Sequence, residues 1–205
     1  MRIMRSRSAG LSCLVALLLV GAAVSQGDES FTAVVVSGHN PARTTWDGRS
    51  ADPPLPITIH LEAWSTPGDV REVAGTLATF GPGVMRKRGE EKPVGRVIAS
   101  SWEFRLGPWN LVLASEEDTA SGRIVRLVTD RPAFVLSNWS QDAGFDPSTR
   151  RLYTGALELT LDSEGRGTGV LMPVAAVIFD DEGGFSLEKA SENVGIHTLI
   201  RVRVQ

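Results

Sequence analysis

Cysteine is all but absent from this chain: Cys13 is the single one among 205 residues. Disulfide scaffolds and cysteine-based zinc knuckles are excluded, because both need several thiols. Histidine is nearly as scarce. His39, His60 and His197 stand far apart, and no His-Glu-x-x-His or His-x-His pattern points to a metal. A Gly-x-Ser-x-Gly elbow, the mark of many serine hydrolases, is missing as well. Only Lys87, Lys92 and Lys189 among the 21 basic residues are lysine, a bias of GC-rich codons and not of chemistry. With 24 acidic residues and a net charge of −3, there is no basic excess for nucleic acid. Yet 42% of the residues are hydrophobic, too many for a disordered chain, and the length suits one domain.

The one long uncharged run is Leu11–Val24, preceded by Arg2, Arg5 and Arg7 and followed by small residues at Ala23 and Ser25. A basic start, a short apolar core and a small-residue exit read as a secretory signal peptide over residues 1–25, cut ahead of Gln26. The run is shorter than the roughly 20 residues a membrane-spanning helix needs, so no stable membrane anchor is expected after cleavage. Removal takes three arginines, no acids and Cys13, leaving residues 26–205 as one exported domain with net charge −6 and no thiol for catalysis. An exported, cysteine-free chain of this kind points to bacteria and to a secreted or periplasmic location. Asn138-Trp139-Ser140 is then a chance sequon.

Within that domain residues 38–56 form an irregular loop, rich in glycine and proline. Most of the remainder reads as short strands. Ile57, Ile59 and Leu61 alternate with Thr58, His60 and Glu62; Leu157, Leu159 and Leu161 alternate with Glu158 and Thr160. Further runs are Phe31–Ser37, Gly95–Ala99, Trp102–Leu106, Asn110–Ala114, Arg123–Thr129, Phe134–Trp139, Val170–Phe179, Phe185–Glu188 and Ile196–Val204. Strands at this spacing predict a mainly β fold, an antiparallel barrel or sandwich. One principal helix interrupts them at about 67–80. Thr66 caps it, Pro67 and Asp69 suit its first turn, and Val70, Val73 and Leu77 form its apolar stripe. Gly81-Pro82-Gly83 stops it, and a further turn through Met85 and Arg88 follows.

The run Ile57–Thr66, the Gly81-Pro82 after the helix, Val128-Thr129-Asp130-Arg131-Pro132, the Leu159–Gly169 hairpin and the closing Arg201-Val202-Arg203-Val204 carry a likeness. Over most of residues 31–204 the chain resembles a group of exported bacterial proteins of unknown function. The resemblance implies an exported domain of mixed β character and brings no activity, cofactor or catalytic residue.

No cofactor or metal motif stands out. Gly165-Arg166-Gly167-Thr168-Gly169 reads as a hairpin connection and lacks the following helix that a phosphate site needs. Glu116-Glu117-Asp118 and Asp180-Asp181-Glu182 read as solvated acidic turns, and Asp130-Arg131 as a turn before Pro132. Five tryptophans are the most suggestive inventory. Trp102 shares an apolar face with Phe104 and Leu106, whereas Trp109 and Trp139 stand at strand ends, where a barrel mouth would place them against a ligand. The sequence therefore points to a non-catalytic exported β domain that binds a small apolar ligand or a protein partner. The alternative is a motif-poor hydrolase built from scattered Asp, Glu and His. A continuous apolar cavity would favour binding, and two carboxylates or a His–carboxylate pair converging in a cleft would favour catalysis; a solid core with neither would leave a structural or interaction role.

Overall fold

The structure, a computed structural model, describes residues 28–36, 54–99, 108–132, 144–190 and 196–205. Within them the elements run β1 (Glu29–Val36), β2 (Leu55–Leu61), α1 (Pro67–Phe80), α2 (Val84–Glu91), β3 (Gly95–Ala99), β4 (Trp109–Thr119), β5 (Gly122–Thr129), β6 (Gly144–Asp146), β7 (Arg151–Asp162), β8 (Arg166–Phe179), β9 (Phe185–Lys189) and β10 (His197–Val204). Eight strands pair antiparallel in the order β7-β5-β4-β3-β2-β1-β10-β8, and the β7–β8 pairing closes the ring. The fold is thus a barrel and not a sandwich, and closure removes the edges that an open sheet would expose. Strict alternation drives it. On β2, Leu55, Ile57, Ile59 and Leu61 are buried while Pro56, Thr58 and His60 face out.

Strands β7 and β8, of 12 and 14 residues, outrun the barrel. Beyond it β7 pairs with β6 through Leu152 and Phe145, and β8 pairs with β9 through Phe179 and Phe185. The result is a four-stranded ribbon, β6-β7-β8-β9. Strand β6 was not expected from the sequence, having only three residues. Trp102–Leu106 and Phe134–Trp139, expected as strands, lie outside the described residues, as do residues 38–53 of the irregular loop. Leu55, assigned to that loop, belongs to β2, as does Pro56, where loop and expected strand met.

Two cores result. The barrel interior is filled by Phe31, Ile57, Ile59, Leu61, Trp109, Leu111, Leu127, Leu157, Leu159, Leu171 and their neighbours. The second core lies outside the barrel wall, where Val70, Val73 and Leu77 of α1 and Met85 of α2 join Val112, Leu113 and Val128 with Leu152, Val177, Phe179 and Phe185 of the ribbon. A bulge in β4 supplies both. Leu111 pairs with Thr129 and Leu113 with Val128, so two residues on β4 oppose one on β5. Trp109 and Leu111 point inward, Val112 and Leu113 join the helices, and Ala114 returns to the interior.

Helix α1 spans the expected residues and buries the expected stripe. The Thr66 hydroxyl accepts from the Asp69 amide at 3.2 Å, and the Asp69 carboxylate accepts from the Thr66 amide at 3.0 Å, a reciprocal cap. The Thr66 hydroxyl also donates to the Asp69 carboxylate at 2.6 Å, and this bond above all, with that from the Thr66 amide, holds the Asp69 carboxyl below its ordinary value. The expected turn after Gly83 is a full helix, α2. The acidic run Glu116-Glu117-Asp118 is a correction: it lies inside β4, not in a turn. Glu117 and Glu158 flank Arg126 at 2.7 and 3.0 Å, an ionic ladder across three outer strands. Gly167 and Gly169 likewise belong to β8, where a Cβ at Gly167 would meet the Thr160 carbonyl oxygen at 1.8 Å.

Candidate functional site

The bore of the barrel was the expected place for a ligand. The twelve largest of the fully buried side chains are each under 2% exposed, and eight of them, Trp109 and Phe31 included, pack in the bore. Trp109, expected at a mouth, is 1% exposed and packs within this interior. The positional reason for a contact role fails, because the first residue of β4 already points inward. Trp139, the other expected contact, and Trp102 lie outside the described residues. Trp64 is half-buried against the barrel core.

One end of the bore is closed by charge. Arg123 on β5 bonds Glu29 on β1, and its other nitrogen bonds Glu116 on β4 at 2.9 Å. Strands β1 and β5 are not neighbours in the ring, so the first bond crosses the bore. The guanidinium also lies 6.0 Å from the Phe31 ring centroid. Burial opposes the charge on Arg123 most strongly, but the two carboxylates outweigh it and hold the guanidinium above its ordinary value.

Outside the barrel lies a groove of about 300 Å³ between α1 and the ribbon. Its helix wall is Arg71, Ala74, Gly75 and Ala78, residues that fall on one side of α1 beside the buried stripe. Small side chains there leave open space: a Cβ at Gly75 would meet nothing within 4 Å. Phe145, Pro147 and Phe179 form the facing apolar wall. Arg150, Asp180 and Asp181 line the rim, with Arg150 bonding Asp181 at 2.5 Å and Arg71 donating to the Glu182 carbonyl at 2.8 Å. The Asp180-Asp181-Glu182 turn is as expected.

A second candidate lies under α2. Thr129 and Asp130 at the end of β5, and Thr154 on β7, are buried polar residues. Thr129 donates to the Gly155 carbonyl at 2.8 Å, and Thr154 donates to the Thr129 carbonyl at 3.0 Å. Asp130 lies in the bend expected before Pro132, with its side chain only 1% exposed. Asn110 and Arg131 reach its Oδ2 at 3.5 and 3.4 Å, while Oδ1 has no partner among the described residues. Burial pushes this carboxyl up, against the opposing pull of Arg131, Asn110 and Arg86.

His60 faces out from β2 and shares a 2.9 Å hydrogen bond with Ser30, its register partner on β1. His197 opens β10, and His39 lies outside the described residues. Among the described residues no three of His, Cys, Asp and Glu are grouped to hold a metal, and no helix is long and apolar enough to cross a membrane. Compared with known proteins, the chain matches no family model, no curated protein and no solved structure.

Proposed function

We propose that the chain is an exported, non-catalytic barrel domain that binds a small ligand with an apolar body in the groove between α1 and the ribbon. The observation that carries this reading is the groove outside the packed barrel, with apolar walls and a volume of about 300 Å³, at the lower end of ligand-pocket volumes. The apolar walls suit the body of such a ligand, and the mixed rim of Arg71, Arg150, Asp180 and Asp181 suits polar ends of either sign. The signal-like pattern of residues 1–25 supports a secreted or periplasmic setting.

Native mass spectrometry of protein purified from its own host tests the reading. A bound small molecule is expected on the wild type and absent from Gly75→Trp, which puts bulk into the open side of the groove. The same spectra give the mature mass, expected to begin at Gln26. Retention of the ligand by Gly75→Trp, or co-purification of a protein partner in its place, overturns the groove as a small-molecule site.

The competing hydrolase reading has one contact in its favour, the Ser30–His60 hydrogen bond. That pair sits on the outer face of the barrel wall, and no carboxylate orients the ring among the described residues. A nucleophile and base need that third group and a cleft. Unchanged activity of Ser30→Ala toward simple esters removes this reading.

A further inference from the structure

Helix α2 is a weak element by composition. It has eight residues, its N-cap Gly83 supplies no side-chain hydrogen bond, and only Met85 and Gly89 are buried. A helix this short does not persist alone in water, so its order depends on docking. Three contacts dock it. Met85 enters the second core with Val112, Leu113 and Val128. Arg88, 13% exposed, reaches Glu72 at 3.2 Å and Asp69 at 3.6 Å on α1. Gly89 lies directly on Asp130: a Cβ there would stand 2.6 Å from the Asp130 Cβ and 2.9 Å from its Oδ2.

The third contact is chemically odd. A carboxylate buried to 1% exposure has two donors at the long limit of hydrogen bonding and one oxygen with no partner among the described residues. The charged groups acting on it are Arg131, next in the chain, and Arg86 of α2; β4 offers only the neutral amide of Asn110. Arg131 divides its guanidinium, also donating to the Pro108 carbonyl at 3.1 Å. No substrate or hydrated ion reaches a group sealed under a helix backbone, but a proton does.

We infer that Asp130 is a proton-binding site that sets how firmly α2 docks on the barrel wall. When α2 lifts, water reaches the carboxyl and it ionises near pH 3.9. Docked, it lies buried and its proton is held more tightly, as burial dictates. The folded value lies above the free one, so docking is fully supported below the free value and weakens as pH rises through the folded value. At neutral pH the Met85 and Arg88 contacts hold the helix against a buried charge.

Amide hydrogen exchange on the full chain, expressed as protection factors, tests this inference at pH 4, 6 and 8. Protection of Val84–Glu91 is expected to fall severalfold from pH 4 to 8 relative to the Val70–Leu77 segment of α1, as docking weakens once the buried carboxyl ionises. In Asp130→Asn it should be flat, and higher than wild type at pH 8. A flat wild-type profile overturns the inference, as does an unchanged slope in Asp130→Asn. Should that variant not fold, the carbon-13 carboxyl shift of Asp130 in the wild type decides. A midpoint above those of exposed aspartates supports the proton site, and one at or below pH 4 overturns it.

Discussion

Replacing Arg123 by methionine keeps most of the apolar stem and deletes a charge that two carboxylates share. Glu29 is 18% exposed, Arg123 23% and Glu116 42%, so the triad is neither a surface pair nor a sealed one. Exposed pairs contribute about 0–1 kcal/mol, while breaking a buried pair costs about 3–5 kcal/mol by stranding the partner's charge. Water still reaches Glu116, which discounts the upper figure. The variant leaves Glu29 and Glu116 facing each other at the end of the bore over Leu61, Val125 and Leu161, which are their register partners or that of Arg123. A loss of about 2 kcal/mol is expected, equivalent to about 4–8 °C in melting temperature for a domain of this size. Urea unfolding of Arg123→Met, Glu29→Gln and the double variant forms the assay. The double variant should recover about 1 kcal/mol relative to the sum of the single changes, because the second change removes the stranded charge. Additive losses, or a single-variant loss below about 0.5 kcal/mol, would show that charge does not hold this end closed.

Trp109→Ala should behave as a core deletion, costing about 3–5 kcal/mol by chemical denaturation while leaving any groove ligand's affinity per folded molecule unchanged. Gly75→Ala, in an exposed helix interior with free space around the new methyl, should stabilise by about 0.5–1 kcal/mol; a loss would mean the helix backbone there is not as described. Asp69→Asn should cost about 1 kcal/mol at pH 7 in thermal unfolding. The Asp69 carboxyl is held below its free value, so its contribution is present above the free value and lost as pH falls through the folded one. The variant and wild type should therefore converge in acid, and a constant gap across pH would refute the cap as the cause.

Local chemistry determined much of this molecule. A capped helix start, a Pro at its first position and a glycine stop defined α1 without reference to any partner, since each acts within one turn of the backbone. Alternation likewise determined which side chains of β2 and β7 share a face, because a strand's period is two whatever it pairs with. What alternation leaves open is which strands meet. Closure of the barrel rests on β7–β8 and β1–β10 pairings, and β1 and β10 come from opposite ends of the described chain. The bulge in β4 carries no glycine or proline signal, yet it moves Leu113 from the bore to the helices and returns Ala114 inward. Trp109 read as a mouth residue from its place after Gly107-Pro108, because position along a strand says nothing of which way its first side chain points. Glu29 and Arg123, 94 positions apart, meet only when the ring closes. Asp130 read as a turn residue, and the chain does bend there, but nothing in the sequence marks its carboxyl as buried. Its burial comes from a helix 40 residues earlier settling its one close-approach glycine onto the carboxyl, and only the tertiary structure brings those two together.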